Sequence, residues 1–146
     1  MKNILLTLAL LTLAISAYTQ LPIRNSTGNT GTITVTITGL DSDEGQLMVA
    51  LYNSSDSWLK EGIRGGQTVI SDGTASVTFE NVPYGTYAIS SFHDENSNDK
   101  LDTGLFGIPK EPYASSRGAK GVFGPPKWKD AQFELKAQQS TELIKF

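Results

Sequence analysis

The stretch Thr32-Ile33-Thr34-Val35-Thr36-Ile37-Thr38 decides the fold class of this chain. Apolar and threonine side chains alternate along it with a period of two. That is the pattern of a β-strand with one face buried and the other close to water. The pattern predicts a strand over residues 32–38 whose three apolar side chains, Ile33, Val35 and Ile37, face a core.

Other short stretches of the same kind follow, separated by turn signals such as Asp72-Gly73. The predicted strands cover 47–52, 68–70, 75–79, 131–135 and 141–146, and residues 82–92 are predicted to form a turn and then a strand that ends at Phe92. Residues 62–66 are predicted as loop. No segment carries a long helical stripe. About seven short strands with regularly spaced turns predict an all-β, immunoglobulin-like antiparallel β-sandwich with one long loop, residues 94–130.

The first 20 residues have the layout of a signal peptide. Lys2 supplies a positive charge, Ile4 to Ile15 is apolar apart from threonines, and small residues follow at Ser16 and Ala17. The apolar run is too short for a spanning helix. We therefore expect a removable signal at 1–20, a flexible leader at 21–31 and a single domain at 32–146. An anchor that is never cleaved is the alternative.

The amino-acid composition limits the kinds of chemistry and of partner that the protein can have. The chain has no cysteine, which excludes disulfides and thiolate chemistry. The formal net charge of −3 argues against nucleic-acid binding, which depends on basic surface. We expect a secreted or periplasmic protein with no membrane span after signal removal, and a glycan or an envelope protein as its partner.

The run Phe92–Asp102 is the strongest candidate for a site. Oxygen-bearing side chains stand at alternate positions, Asp94, Asn96 and Asn98, and Asp102 follows. The spacing matches the first part of the calcium-loop pattern D-x-[DN]-x-[DN]. Carboxylate and amide oxygens are hard ligands that suit Ca²⁺. We therefore expect Ca²⁺ as a cofactor of this acidic loop (residues 94–102).

The acidic loop also departs from the calcium-loop pattern. Asp99 occupies the position of the turn glycine, and Leu105 that of the usual bidentate glutamate. Asp102 or the later Glu111 would have to supply the missing oxygen. A surface turn closed by Asp and Asn side chains is the alternative. The length of the excursion favours the ion, because long loops in compact domains are uncommon unless functional or disordered.

Catalysis has weaker support in the sequence. His93 is the only histidine and stands beside an aspartate, so it is a candidate general base. A strand-end histidine bonded to its neighbours is the competing interpretation. No G-x-S-x-G motif marks a nucleophile. Asp94 and Asp102 are a candidate pair for glycoside hydrolysis, but their spacing fits one shared cation better. We expect a protein that is not an enzyme.

Four aromatic residues suggest a second binding hypothesis. Trp58, Tyr113, Phe123 and Trp128 would bind carbohydrate if their ring faces were exposed. The alternative is that they pack the long loop onto the sandwich, because aromatic side chains bury large areas. Packing is the interpretation that we favour.

Several segments together resemble a bacterial secreted family catalogued as domain of unknown function 2141. They are residues 92–102, 106–113, 124–126 and 131–133, and the similarity extends over about 31–146. The resemblance implies an exported β-sandwich without a known activity. It also implies that the acidic loop and the Phe-Gly-Ile-Pro segment form one feature, with loop-structuring roles for His93, Phe106, Gly107 and Pro109. The Tyr84–Tyr87 stretch is similar to transthyretin-like sandwiches, a likeness at the level of fold.

Overall fold

The structure is a computed structural model and describes residues 28–146. The predicted signal peptide and most of the predicted leader lie outside these residues. Among the described residues, no helix is both long and apolar enough to cross a membrane. The elements are β1 (Thr30–Thr38), β2 (Gln46–Tyr52), β3 (Arg64–Thr68), β4 (Thr74–Pro83), β5 (Gly85–Asp94), β6 (Tyr113–Ser115), a short helix α1 (Trp128–Ala131), β7 (Phe133–Leu135) and β8 (Gln139–Lys145).

The strands form two sheets. In the first sheet, β1 is central, antiparallel to β4 and parallel to β8. In the second, the order is β3-β2-β5-β6, and β7 pairs with the beginning of β5. β6 and β7 therefore lie one after the other along the same edge of β5, at Ser90–Phe92 and Gly85–Tyr87. The prediction of an all-β sandwich is confirmed, and one strand pair in it is parallel.

The alternating residues of β1 lie at the centre of the core, as predicted. Ile33, Val35 and Ile37 are fully buried, while the threonines between them are half-buried on the opposite face. Leu47 and Leu51 of β2 meet them from the second sheet and are also fully buried. Burying a side chain of this size contributes roughly 1.5–3 kcal/mol, so this layer holds the two sheets together.

The prediction for β3 is wrong in position. The strand covers Arg64–Thr68, where a loop was expected, and the stretch 68–70 leaves the sheet after its first residue. The strand forms through backbone pairing with β2, which needs no apolar side chain. Gly66 faces inward, and a Cβ there would lie 2.6 Å from Cγ1 of Val77. Glycines carry no alternation signal, so the sequence pattern missed this strand.

The predicted long loop, 94–130, contains regular structure. β6 adds three residues to the edge of β5, and single 3₁₀ turns cover Leu105–Gly107 and Ser116–Gly118. A three-residue strand is too short to show a period of two. The Ser116 hydroxyl holds this region to the sheet, because it accepts from the N–H of Ile89 (2.9 Å) and donates to the carbonyl of Ala131 (2.6 Å).

Candidate functional site

Asp94 is the anchor of the acidic loop. It ends β5, and its side chain is completely buried. Its carboxylate accepts hydrogen bonds from Nε2 of Gln46 (2.8 Å) and from the backbone N–H groups of Asn98 (3.0 Å) and Asp99 (2.8 Å). Burial by itself raises the pKa of Asp94, but these hydrogen bonds outweigh it, so the pKa lies below its ordinary value. The loop is therefore built around an ionised carboxylate.

The other three predicted ligands lie together around Asp102. Its two carboxylate oxygens accept from Nδ2 of Asn96 (2.8 Å) and Nδ2 of Asn98 (3.1 Å). The side-chain oxygen of Asn96 accepts a hydrogen bond from the backbone N–H of Asn98 (3.2 Å). The side-chain oxygen of Asn98 accepts one from the backbone N–H of Lys100 (2.9 Å). The structure thus brings Asp94, Asn96, Asn98 and Asp102 into one network. In this network, hydrogen bonds from the loop's own polar side chains close its turns.

Glu111 binds both ends of the acidic loop. Its side chain is buried, and its carboxylate accepts from the N–H of Glu95 (3.1 Å) and of Asp102 (2.9 Å). Both ends of the loop are therefore fixed by one residue. Within residues 28–146, no group of three or more His, Cys, Asp or Glu side chains is placed to hold a metal. A Ca²⁺ here would need amide and carbonyl oxygens in its shell, which this ion accepts.

The chain beyond Asp102 forms a narrow tongue (residues 102–110). Its two sides are joined by hydrogen bonds from Lys110 N–H to the Asp102 carbonyl (2.8 Å) and from Gly104 N–H to the Ile108 carbonyl (2.7 Å). Phe106 and Gly107 make its tip, with φ of 62° and 72°. The Phe106 side chain is 98% exposed, and Pro109 lies on the returning side. The tongue begins at Asp102, the last residue of the acidic loop, so the position of the tongue depends on that of the loop.

His93 lies beneath the acidic loop and is buried. Its Nε2 is 2.7 Å from the carbonyl oxygen of Glu44, which makes Nε2 the protonated nitrogen. Its backbone N–H donates to the carbonyl of Pro112 (2.9 Å). Within the described part of the chain, no serine hydroxyl or carboxylate is hydrogen-bonded to the ring. The contacts of His93 connect the β1–β2 turn and the segment before β6 to the end of β5.

The two tryptophans pack against each other and against the sheet. Trp58 is only 8% exposed, and its Nε1 donates to the carbonyl of Pro126 (2.8 Å). Its ring meets Tyr52 and Trp128 edge to face, with centroids 5.0 Å and 5.9 Å apart. Trp58 therefore has no free face for a sugar. Of the four aromatic residues considered for carbohydrate binding, Tyr113 and Phe123 are exposed, and Trp128 is partly buried.

The outer face of the second sheet carries a feature that the sequence did not indicate. The register aligns one residue from each of four strands in a row of small side chains, here called the small-residue row: Gly65, Ala50, Ser90 and Ser115. The next row toward the acidic loop is larger and comprises Gln67, Met48, Phe92 and Tyr113. A depression therefore crosses the strands along the small-residue row.

Two walls convert this depression into a groove of about 1050 Å³. The tongue forms the wall on the side of Asp94. A wall segment (residues 121–126) forms the opposite one, near Tyr52, and the Trp58 bond to Pro126 fixes its end. The groove is lined mostly by apolar side chains, and its volume is at the upper end for ligand sites, about 300–1000 Å³. The sequence patterns missed it because its residues meet only through strand register.

A comparison with protein families agrees with the resemblance seen in the sequence. Residues 35–143, more than half of the chain, match the family model DUF2141, described as an uncharacterized protein conserved in bacteria. No curated protein and no solved structure matches the chain. The family membership carries no reaction, ligand or partner with it.

Proposed function

Since the chain belongs to this uncharacterized bacterial family, its function has to be inferred from its own surface, and we propose that it is an exported, non-catalytic binding domain. In this proposal the groove receives the ligand, and Ca²⁺ orders the acidic loop that carries one wall. The signal-peptide pattern of residues 1–20 supports export to the periplasm or the medium. The buried His93, held by the Glu44 carbonyl, supports a structural role for the one histidine.

The single observation that carries the proposal is the open apolar groove. Monomeric soluble proteins rarely expose large contiguous apolar patches without a use for them. Phe106 and Val122 stand on the two walls with nearly their whole side chains exposed. Leaving such side chains in water costs about 1.5–3 kcal/mol each relative to burial. A ligand in the groove would cover them and recover that energy.

The Ca²⁺ part of the proposal is supported by the convergence around Asp102. The Asp102 carboxylate lies within 3.1 Å of the side-chain amide nitrogens of Asn96 and Asn98. The Asp94 carboxylate is joined to this group through the Asn98 N–H. Turning the two asparagine amides about their Cβ–Cγ bonds would present oxygens to an ion at Asp102. The ion would then replace amide hydrogens as the positive partner of the carboxylate.

Exposed aromatic side chains on the groove allow a direct test of ligand binding. Phe106→Ser should lower the binding of the apolar dye anilinonaphthalene sulfonate to the folded protein, because Phe106 lines the groove. Phe123→Ser is the matched control, because Phe123 is equally exposed but does not line the groove. Equal loss in both variants, or no dye binding by the wild-type protein, would contradict the proposal.

The ion is tested with Asn98→Asp. This change places a second carboxylate 3.1 Å from Asp102 in the position of the amide. In chelator the variant should melt below the wild type because of repulsion between the carboxylates. In millimolar Ca²⁺ it should gain more stability than the wild type, because a further carboxylate strengthens a calcium site. Asn53→Asp, at an exposed position directly after β2, is the control. Equal responses to Ca²⁺ in all three proteins would remove the ion from the proposal.

A further inference from the structure

Gly65 has no role in folding that explains a glycine. A Cβ at this position would meet nothing closer than the carbonyl oxygen of Val49, at 4.0 Å, and the backbone there is open to any residue. Its neighbour Gly66 is different, because a Cβ there would press on Val77. Glycine weakens a strand, and one inside a strand often marks a bulge, a bend or a close approach by a ligand or another backbone segment. The β2–β3 pairing has no register shift at Gly65, so a bulge does not account for this glycine. Among the described residues, no atom lies closer than 4.0 Å to a Cβ at Gly65, and Gly65 lines the groove, so a larger side chain there would occupy the groove.

The shape of the groove fits one narrow chain. The small-residue row runs across four strands, which is about 14 Å at the usual spacing. Larger side chains lie on both sides of the row, Tyr52 on one side and Met48 on the other. Each is two residues from Ala50 along β2, which places it about 7 Å from the row. This width accommodates a single extended hydrocarbon chain lying between the flanking rows. The row is exposed at Gly65 and buried at Ser115, so its β3 end is open to solvent.

Positive charge flanks the wall segment in the sequence. Lys120 and Lys127 are exposed and directly flank the wall segment, and no acidic residue stands between Pro112 and Lys129. The one ion pair among the described residues joins Lys136 and Glu134, so neither flanking lysine is neutralised. In a chain of net charge −3, the two lysines at the ends of this wall segment are complementary to an anionic headgroup.

The width of the groove, its apolar lining and the two flanking lysines together indicate the class of ligand. We propose that the groove binds a free long-chain fatty carboxylate, with its hydrocarbon chain along the small-residue row and its carboxylate beside Lys120 and Lys127. This inference rests on the proposed function, since it names the ligand of the same groove. A diacyl lipid would need room for two chains.

Laurate, kept below its micelle concentration, is the probe, and the protein is purified after export from cells that express the full chain. Calorimetry should show one laurate per chain. Gly65→Leu should lower the laurate affinity by about tenfold or more, with a melting temperature equal to or above that of the wild type. Thr141→Leu, an exposed strand position on the first sheet, is the matched control and should change neither quantity.

The headgroup is tested with the double variant Lys120→Glu/Lys127→Glu. It should lower laurate affinity by about tenfold and leave the affinity for the neutral dodecanol unchanged. Lys145→Glu is the control. The inference is overturned if laurate does not bind, if Gly65→Leu binds it normally, if laurate and dodecanol respond alike, or if the protein binds phosphatidylglycerol vesicles and not free laurate. Dye binding that depends on Phe106 without laurate binding would leave the proposed function standing and refute this inference alone.

Discussion

At the scale of single residues, Asp94 shows how one buried charge can organise a loop. Its carboxylate receives three hydrogen bonds, one from Gln46 on β2 and two from backbone N–H groups of the acidic loop. A neutral side chain of the same shape could not accept all three, because an asparagine presents one amide nitrogen where an oxygen is needed.

We predict that Asp94→Asn lowers stability at neutral pH and that the loss shrinks in acid. The hydrogen bonds depress the pKa of Asp94 in the folded protein. The carboxylate's contribution is therefore complete above the unfolded value of about 3.9, and is lost as the pH falls from there through the folded pKa. Melting curves of both proteins from neutral pH into acid check this. A difference that stays constant across that window would contradict it.

Glu142 should behave in the opposite way. It is buried on β8, and burial raises its pKa, which the charge of Arg117 only partly counteracts. Ionisation therefore costs the folded protein stability at neutral pH. We expect Glu142→Gln to melt at a higher temperature than the wild type at pH 7, and at the same temperature once the pH is well below about 4.3. A variant that is less stable at neutral pH would show that the carboxylate is favourable.

At the scale of elements, the wall segment depends on one indole. Trp58 Nε1 donates to the carbonyl of Pro126, and the ring packs between Tyr52 and Trp128. We expect Trp58→Phe to cost about 1–3 kcal/mol, because a buried carbonyl loses its donor. Hydrogen exchange in the wall segment should rise at the same time. Trp128→Phe is the control, since it keeps an aromatic ring against Trp58, and an equal increase there would contradict the role of the Trp58 hydrogen bond.

At the scale of the whole molecule, the sandwich and the acidic loop should behave as units of different stability. Ile37→Ala leaves a cavity between the sheets and should lower the free energy of unfolding by about 2–5 kcal/mol. Asn98→Ala removes bonds only within the loop. Hydrogen exchange should therefore increase throughout the protein in the first variant and only in 95–111 in the second. Loss of protection in β1 of the second variant would contradict this separation.

Local sequence patterns determined much of this protein. The alternation in 32–38 sufficed to predict a core strand, since a period of two is a property of one strand and needs no knowledge of its partners. The polar residues of the acidic loop are also close in sequence, and Asp94, Asn96, Asn98 and Asp102 meet in one network. The contacts of that network with Gln46 and Glu111 come from elsewhere in the chain. The match to a bacterial family also rests on the sequence alone.

The tertiary structure decided what local pattern could not. β3 has two glycines and no apolar stripe, so its existence depends on pairing with β2. The burial of Trp58 depends on the Pro126 carbonyl, 68 residues away in the chain. The groove depends on the register of four strands, which places Gly65 and Ser115 in one row. Residues this far apart in sequence meet only after the backbone has paired, and the surface proposed to bind a ligand is made of such residues.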